Sequence, residues 1–258
     1  MLMEKTPLSA AIITKNEEEN LPDCLGSLFF SDQIVLVDSG STDRTVDIAR
    51  AYGCDIFIES WKGFGPQKQF AISQCRNDWV LVIDADERIP AETMSAIKEV
   101  VSGPGDISGY YLPRKNYFQD KWIRHMGWWP DPVLRLFRKN CGRMTAASVH
   151  EAVLVDGKVE MLNFPIEHRT ESRLSEILKK IDHYSTLSAQ EAFNRGQKAS
   201  IWSAAIRADL NFIHNYFIRL GFLDGRQGLV LSITDSINKF FKYAKLYEMT
   251  KQDRSVSR

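Results

Sequence analysis

Three carboxylates directly follow an apolar run in the segment WVLVIDADERIP, residues 79–90: Asp84, Asp86 and Glu87. Carboxylates this close repel one another unless a positive charge lies between them. A divalent cation such as Mg²⁺ or Mn²⁺ provides that charge, because it takes one or two carboxylates and completes its coordination with water and substrate phosphates. The alternative is structural, with Asp86 and Glu87 capping a helix that begins near Pro90.

The elements that would position these carboxylates also place other polar residues at strand ends. Short apolar runs without alternation predict buried strands at 8–14, 33–38, 55–60 and 79–84. Helical spacing between the runs indicates an α/β chain with a mostly parallel sheet covered on both faces. Ligands of such sheets bind beyond the carboxyl ends of the strands. Thr14 and Asp38 fall at such ends too, which favours a metal–phosphate site over a simple helix cap.

Composition and missing motifs narrow the class of protein. The chain has 258 residues with 33 basic and 33 acidic side chains, so we expect no nucleic-acid partner. There is no GxxxxGK[ST] loop and no GxGxxG after the first strand, so a nucleotide would be held by a metal and scattered polar contacts. Four scattered cysteines indicate free thiols in a reducing compartment. The N-terminus lacks the features of a signal peptide and no window reaches 18 uninterrupted apolar residues, so a cytoplasmic location is expected.

Four segments, taken in order, resemble the nucleotide-binding half of family 2 inverting glycosyltransferases, which have the GT-A fold. They are AIITKNEEENLPDCLGSL, IVLVDSGSTDRTVDIA, GFGPQKQFAISQC and WVLVIDADE, and they cover most of residues 10–87. The later WWPDPVLRLFRK and SVHEAV are similar to the lipopolysaccharide core β-1,4-glucosyltransferase subgroup. The resemblance implies transfer of a hexose, with UDP-glucose as the expected donor and Mg²⁺ or Mn²⁺ as cofactor. The implied acceptor is a lipid-linked glycan such as the lipopolysaccharide inner core.

Other functions stay open at this point. The same fold could use another nucleotide sugar or a polyprenyl-phosphate acceptor. A nucleotidyltransferase would have a basic, Gly-rich loop after the first strand, where TKNEEEN is acidic. A D-x-D phosphatase carries its carboxylates after the first strand, before Thr or Val. A non-catalytic, membrane-associated scaffold would be favoured by loss of the strand-end carboxylates, and all of them are present.

The resemblance assigns the nucleoside part of the donor to residues before the D-x-D motif. Thr14, Glu17 and Glu18 lie where the family contacts the base and the ribose. Asp38 matches the aspartate that accepts from the uracil edge. Lys68 stands where many members have Arg, and it would meet the base or the diphosphate.

The diphosphate and its metal are assigned to the strand end and to later residues. Asp86 would bind the metal that bridges the two phosphates, and Asp84 would face the ribose or a metal-bound water. His168, in PIEHRT, is a second candidate ligand because some GT-A enzymes complete their metal site with a late histidine; the alternative is a hydrogen-bonded structural histidine. Arg135 and Arg138, in RLFRK, would face the diphosphate or a phosphorylated acceptor.

Inverting transfer also needs a general base that deprotonates the acceptor hydroxyl. The acidic E-D motif that many family members place after the D-x-D is not found. Glu151, in SVHEAV, is the first candidate, and Asp131, in WWPDP, competes with it. His150 would orient the acceptor, touch the metal–diphosphate unit or serve as the base.

The remaining chain suggests a second region with a different partner. Residues 1–170 form the expected catalytic domain, with 19 basic and 24 acidic residues, and residues 171–258 form a helical tail with 14 and 9. Stretches 206–222 and 229–248 carry apolar helical stripes, and the second has lysines on its other side. This pattern is typical of a helix in the interface of an anionic membrane, although packing on the catalytic domain is the alternative. A lipid-linked acceptor would put such a protein at the inner face of the cytoplasmic membrane.

Overall fold

The computed structural model describes residues 5–103, 105–145, 152–170 and 173–256. The chain divides into two compact units. Met1–Lys115 with Pro130–Arg169 form the first unit, which holds most of the strands. Asn116–Trp129 with Thr170–Arg258 form the second unit, which is mainly helical.

The elements follow one another along the chain in an order that begins with alternating strands and helices. The strands are β1 (Thr6–Thr14), β2 (Ser31–Asp38), β3 (Asp55–Ile58), β4 (Trp79–Val82), β5 (Glu87–Arg88), β6 (Ile107–Phe118), β7 (Lys121–Trp122), β8 (Asp131–Arg138), β9 (Gly142–Met144), β10 (Val153–Val155), β11 (Lys158–Met161) and β12 (Ile166–Arg169). The helices are α1 (Leu21–Ser27), α2 (Thr45–Ala51), α3 (Phe64–Gln74), α4 (Ala91–Ser102), α5 (Leu174–Asn194), α6 (Ile201–Ile213) and α7 (Gly225–Val256), with a π-helical turn at His214–Ile218 and a 3-10 turn at Gly221–Asp224.

Four parallel strands form one half of the main sheet in the order β3-β2-β1-β4. In this register Thr14 lies beside Asp38 at the carboxyl ends of β1 and β2. Just after β4, the backbone N–H of Ile83 still donates to the carbonyl of Ala11 at 3.1 Å. The predicted parallel sheet is confirmed, and its strand ends bring the polar residues to one edge.

The other half of the sheet is mostly antiparallel. β8 runs antiparallel to both β4 and β6, and the order continues from β6 to β12 and β5. β12 pairs with β5 and thereby sets His168 opposite Glu87. β11 lies parallel to β6, and β9 with β10 forms a separate two-stranded sheet. The sheet is therefore mixed beyond β4, in the part of the chain where the sequence lacks a regular hydrophobic period.

Buried side chains cover both faces of the parallel strands, which explains why these strands are apolar without alternation. On one face Ile12 and Leu81 join a core cluster with Leu25 of α1. On the other face Val82 packs in a second cluster with Ile72 of α3. Successive side chains of a strand point to opposite faces, so each strand contributes to both clusters.

The second unit is built on the long helix α7, against which both α5 and α6 pack. Ala189 of α5 and Leu246 of α7 are buried in one small cluster. The start of α6 has a capping box, in which the Ser200 hydroxyl accepts from the backbone N–H of Ser203 and the Ser203 hydroxyl accepts from that of Ser200. The mainly helical character expected after residue 171 is confirmed by α5, α6 and α7.

The turn between α6 and α7 is compact. Leu220 has φ of 60°, in the left-handed region, and this ends the preceding helical turn. Gly228 permits close approach, because a Cβ there would lie 1.9 Å from the carbonyl oxygen of Gly221. The buried carboxylate of Asp224 accepts from the backbone N–H of His125 at 2.9 Å. These contacts fix the corner of the helical unit.

The apolar stripe of α7 is only partly buried, since Ile233 at its start remains 42% exposed. Ile237 and Phe240 border a groove with Phe212 of α6, and Ala244 is buried. Lys245, expected near lipid head groups, instead binds the Asp182 carboxylate of α5 at 2.7 Å. Within the described ranges, no helix combines the length and the apolarity that crossing a membrane requires.

Leu81→Ala tests the central position of β4. Leu81 is fully buried, so the truncation should lower the free energy of unfolding by about 2–5 kcal/mol. Urea unfolding followed by fluorescence measures this loss. Leu154→Ala, at an exposed leucine of the same unit, is the matched control and should change the midpoint much less. Equal effects of the two substitutions would contradict the assignment of Leu81 to the core.

Candidate active site

The carboxylate of Asp38 is buried where β1 and β2 end. Its Oδ1 accepts from the backbone N–H groups of Gly40 and Ser41 at 2.9 and 2.8 Å. Its Oδ2 accepts from the hydroxyl of Thr14 at 3.2 Å and from that of Ser41. Asp38 therefore holds the turn after β2, and contact with a base edge would add to these bonds or exchange with them. Its assignment to uracil stays a prediction.

Glu17 and Glu18 lie in the loop between β1 and α1. The backbone N–H of Glu18 donates to Asp43 at 3.1 Å, and the Glu18 carboxylate accepts from the backbone N–H of Arg44 at 3.1 Å. The backbone N–H of Glu17 donates to the Thr45 hydroxyl at 2.8 Å. These bonds tie the loop after β1 to the start of α2. The Glu18 side chain is directed to that helix end, and its assignment to the donor base or ribose stays a prediction.

A groove beside the end of β1 is walled by two aromatic rings. Trp61 and Phe64 pack edge to face with 4.8 Å between ring centroids. Together with Thr14 and Glu17 they line a space of about 320 Å³. This pair was not among the predicted site residues, although the aromatics on either side of Gly63 in WKGF were its signal in the sequence. Exposed rings of this kind can stack on a planar base.

Asp84 is held between two cations. The Lys68 ammonium lies 2.9 Å from its Oδ1, and the Arg135 guanidinium lies 2.5 Å from its Oδ2. Burial acts to raise the pKa of Asp84, but the charges of Arg135 and Lys68 outweigh it and hold the pKa of that carboxyl well below its usual range. Lys68 and Arg135 were expected at the donor, and Asp84 at the ribose or a metal-bound water. The structure pairs the three with one another.

Glu87 extends this pairing into the core. It is fully buried, and its Oε1 accepts from Arg135 at 2.6 Å and lies 3.5 Å from the guanidinium of Arg114. Its Oε2 accepts from the backbone N–H of Asp84 at 3.0 Å. Glu87 is therefore a structural partner of Arg135 rather than a surface helix cap. Arg114 was not predicted as a site residue, because no local pattern links it to Glu87.

Asp131, the competing general base, belongs to the same set of charges. The guanidinium of Arg114 binds the Asp131 carboxylate at 2.6 Å, because the register of β6 and β8 sets the two residues opposite each other. We call the connected side chains the charge network: Lys68, Asp84, Glu87, Arg114, Asp131 and Arg135. With three acids and three bases, the network is neutral overall.

Asp86 lies outside the charge network and next to His168. The Nε2 of His168 is 3.2 Å from Oδ2 of Asp86, although the two residues are 82 positions apart. The backbone N–H of Arg169 donates to the Asp86 carbonyl at 2.9 Å, and the pairing of β12 with β5 holds the contact. Both side chains remain partly exposed. Among the described residues no group of three or more His, Cys, Asp or Glu could hold a metal, and Asp86 and His168 form a pair of potential donors at this strand end.

A cavity of about 390 Å³ lies against the charge network. Asp84 and three cations, Lys68, Arg114 and Arg135, are among its lining residues. The buried Nε of Arg135 has no hydrogen-bond partner within the described part of the chain. The cavity is therefore suited to an anionic ligand with several oxygen acceptors.

The candidate bases Glu151 and His150 fall outside the described residues, in the interval 146–151. Ala152 and Val153, which follow immediately, line the cavity that holds the charge network.

Arg138 does not join the others. Its guanidinium pairs with Asp78 at 3.3 Å and stacks over the Trp79 ring at 4.6 Å. Because β8 is antiparallel to β4, Arg138 lies opposite Trp79 at the start of β4, away from the carboxyl end. Arg138 therefore lies apart from the charge network, and its assignment to a substrate anion stays a prediction.

Comparisons with known proteins give a consistent result. A family model described as glycosyl transferase family 2 matches residues 9–154. The lipopolysaccharide core biosynthesis glycosyltransferase LpsC of Rhizobium meliloti is 32% identical over 259 residues, covering 96% of this chain and 94% of LpsC. An uncharacterized glycosyltransferase of Rickettsia typhi is 30% identical, with coverage of 96% and 89%. The solved structure of S. aureus TarS 1-349 in complex with UDP-GlcNAc covers 95% of this chain and 92% of its own, with 16% identity and a TM-score of 0.48.

Glu87→Gln tests the charge network. Removing one charge of a buried pair leaves Arg135 undercompensated, so the free energy of unfolding should fall by about 3–5 kcal/mol. Glu160→Gln removes a carboxylate from an exposed pair with Lys158 and is the matched control, for which no measurable change is expected. Urea unfolding of both variants decides the point. A Glu87→Gln protein as stable as the control would show that the network contributes nothing to the fold.

Proposed function

The chain belongs to glycosyltransferase family 2, and we propose that it transfers glucose from UDP-glucose to a lipid-linked glycan such as the lipopolysaccharide inner core. The expected family and GT-A fold are confirmed. The relative named for lipopolysaccharide core biosynthesis, which spans nearly the whole chain, supports the acceptor class. The observation that carries the proposal is the approach of Asp86 and His168 to 3.2 Å at the end of β4.

Asp86 and His168 would hold a divalent cation, Mg²⁺ or Mn²⁺. Two atoms that each bind one ion at about 2 Å lie about 3 Å apart when their bonds are perpendicular, which fits the observed 3.2 Å. Two protein donors leave the remaining coordination to phosphates and water, as such ions prefer at nucleotide sites. When bound, the cation stabilises the charge that develops on the departing nucleoside diphosphate. Asp84, engaged by Lys68 and Arg135, would contribute through a water.

The aromatic groove would receive the nucleoside of the donor. Trp61 or Phe64 would stack on the uracil ring, and Glu17 would accept from a ribose hydroxyl. Thr14 and Asp38 lie at the same strand ends and would meet the base edge. This arrangement uses scattered contacts in place of a phosphate-binding loop.

The cavity beside the charge network would receive the diphosphate. Arg135 and Lys68 carry fixed positive charge there, and Asp84 balances it. An incoming diphosphate would compete with Asp84 for these two cations, because phosphate oxygens accept from guanidinium and ammonium groups. Arg114 lines the same cavity and adds to its positive field.

Glu151 would act as the general base. Its carboxylate would take the proton of the acceptor hydroxyl while that oxygen bonds to the anomeric carbon and the bond to the UDP oxygen breaks, which inverts the anomeric centre. Asp131 is less suited to the role because its carboxylate is paired with Arg114. His150, adjacent to Glu151, would orient the acceptor.

A lipid-linked acceptor stays in its bilayer, so the enzyme would work as a peripheral protein at the inner face of the cytoplasmic membrane. The net positive charge of residues 171–258 supports contact with anionic lipids.

Calorimetric titration with UDP, with and without Mn²⁺, tests the donor site. UDP should bind only with Mn²⁺, and GDP should bind far more weakly. Asp86→Asn and His168→Ala should each weaken Mn²⁺-dependent UDP binding about tenfold or more, because each removes a ligand. Asp47→Asn, at an exposed helical aspartate, is the control and should bind normally. Equal indifference to UDP and GDP with Mn²⁺ present would favour a non-catalytic scaffold.

Glu151→Gln and Asp131→Asn separate the two candidate bases. Glu151→Gln should lower kcat about 10²- to 10⁴-fold with little change in UDP affinity, because it removes proton transfer and leaves donor binding intact. The measurement is release of UDP from UDP-glucose in the presence of acceptor. Near-normal turnover of Glu151→Gln, together with an inactive but folded Asp131→Asn, would transfer the role to Asp131.

A further inference from the structure

Helix α6 leaves a row of large apolar side chains uncovered. Trp202 is 81% exposed, Ile206 57% and Leu210 60%, and the row continues through Ile213 and Phe217. These positions follow one another at spacings of three or four residues, so they lie on one side of the helix. A soluble helix normally points such a stripe at its core.

The opposite side of α6 already meets the core of the helical unit. Ala204 is fully buried, and Ala208 and Phe212 face Ile233 and Ile237 of α7 across a shared groove. The exposed row is therefore a second apolar face, additional to the one that packing of the unit requires. Neither the helix propensity of these residues nor the folding of α6 requires this second apolar face.

The exposed row extends into the turn that follows α6. The Tyr216 ring contacts the rings of Phe217 and Phe222, with centroids 5.1 and 6.3 Å apart. Ile218 and Leu223 are also more than half exposed. We call this surface the α6 apolar face; it consists of Trp202, Ile206, Leu210, Ile213, Phe217, Ile218, Leu220, Phe222 and Leu223. An extended exposed apolar patch of this kind commonly marks a protein or membrane interaction site.

Charge around the α6 apolar face is mostly positive. Residues 195–226 contain five Arg or Lys residues and two Asp residues. Asp224, one of the two, is buried and bonded to the backbone of His125, so Asp209 is the exposed acid. Arg207 stacks over Tyr243 at 4.6 Å, and Arg219 and Arg226 are exposed at the end of the turn. A second copy of the same chain would bring like charges together.

We propose that the α6 apolar face inserts into the headgroup–acyl boundary of an anionic bilayer. The occupant is a lipid surface, because an uncovered Trp and Phe row bordered by cations matches an interface of apolar chains and anionic head groups. Insertion runs along α6 and the following turn, and not along α7, whose Ala244 is buried and whose Lys245 is bound to Asp182. This inference rests on the proposed function in one respect: contact with the bilayer would place the enzyme beside its lipid-linked acceptor.

Vesicle co-sedimentation of the full chain tests the inference. Wild type should bind phosphatidylcholine vesicles that contain about one third phosphatidylglycerol, and bind pure phosphatidylcholine more weakly. The double variant Ile206→Ser/Leu210→Ser should bind the vesicles at least about tenfold more weakly than wild type, because both side chains would leave the apolar layer. Leu174→Ser/Leu178→Ser, at α5 leucines that are 49% and 55% exposed, is the matched control and should bind like wild type.

Quenching by brominated lipid identifies the inserted face. Wild-type fluorescence should be quenched in vesicles with brominated acyl chains, and Trp202→Phe should remove most of that quenching. Quenching that survives this substitution would place the contact elsewhere and overturn the inference.

Three further results would contradict the proposal. If the α6 double variant binds vesicles as wild type does, or wild type never binds them, no insertion occurs. If wild type sediments as a dimer and the double variant as a monomer, with no vesicle binding by either, the face joins two copies. Asp86→Asn should still bind vesicles and the α6 double variant should still bind UDP with Mn²⁺, so failure of this inference and failure of the transferase proposal give different results.

Discussion

The structure of the first unit depends on neutralisation of the Asp84 and Glu87 carboxylates by nearby cations. Glu87 is fully buried and Asp84 largely so, and an uncompensated carboxylate in such a place would cost several kcal/mol. Arg135 of β8 neutralises both, Lys68 of α3 adds to Asp84, and the pairing of β8 with β4 brings Arg135 to this strand end. The antiparallel half of the sheet is thus tied to the end of β4 by electrostatics as well as by backbone hydrogen bonds. Of the acids at this strand end, Asp86 stands apart from these cations.

The acids at the end of β4 therefore fall into two groups with different neighbours. Asp84 and Glu87 organise cations that would meet a diphosphate, whereas Asp86 and His168 are left at an edge where a metal would be held. The division depends on β5 and β12, two short strands whose pairing sets His168 opposite Glu87 and beside Asp86. A small shift of this pairing would separate the two donor atoms without disturbing the parallel strands.

The helical unit is held together by packing of its helices. Its core is formed by α5, α6 and α7, and that core accounts for only one side of α6. The uncovered side has the composition of a lipid-facing helix, and the exposed cations around it would add attraction to anionic head groups. Two local features, the left-handed Leu220 and the close approach at Gly228, turn the chain from α6 into α7.

Local pattern was sufficient for the parallel strands, the helices between them and the polar residues at their ends, because a strand buried on both faces shows as an unbroken apolar run. The same pattern gave Thr14, Asp38 and the carboxylates of 84–87 as one cluster. It could not show that Arg114 and Arg135 neutralise the cluster, or that His168 meets Asp86 from 82 residues away, since pairing between distant strands leaves no local trace. The local pattern also could not show which of the two tail helices leaves its apolar stripe more exposed, because the two stripes look alike in sequence. Packing buries Ala244 of the α7 stripe and sets Ile237 and Phe240 against α6, whereas the stripe of α6 stays in solvent. A helix in a three-helix unit can turn only part of its surface inward.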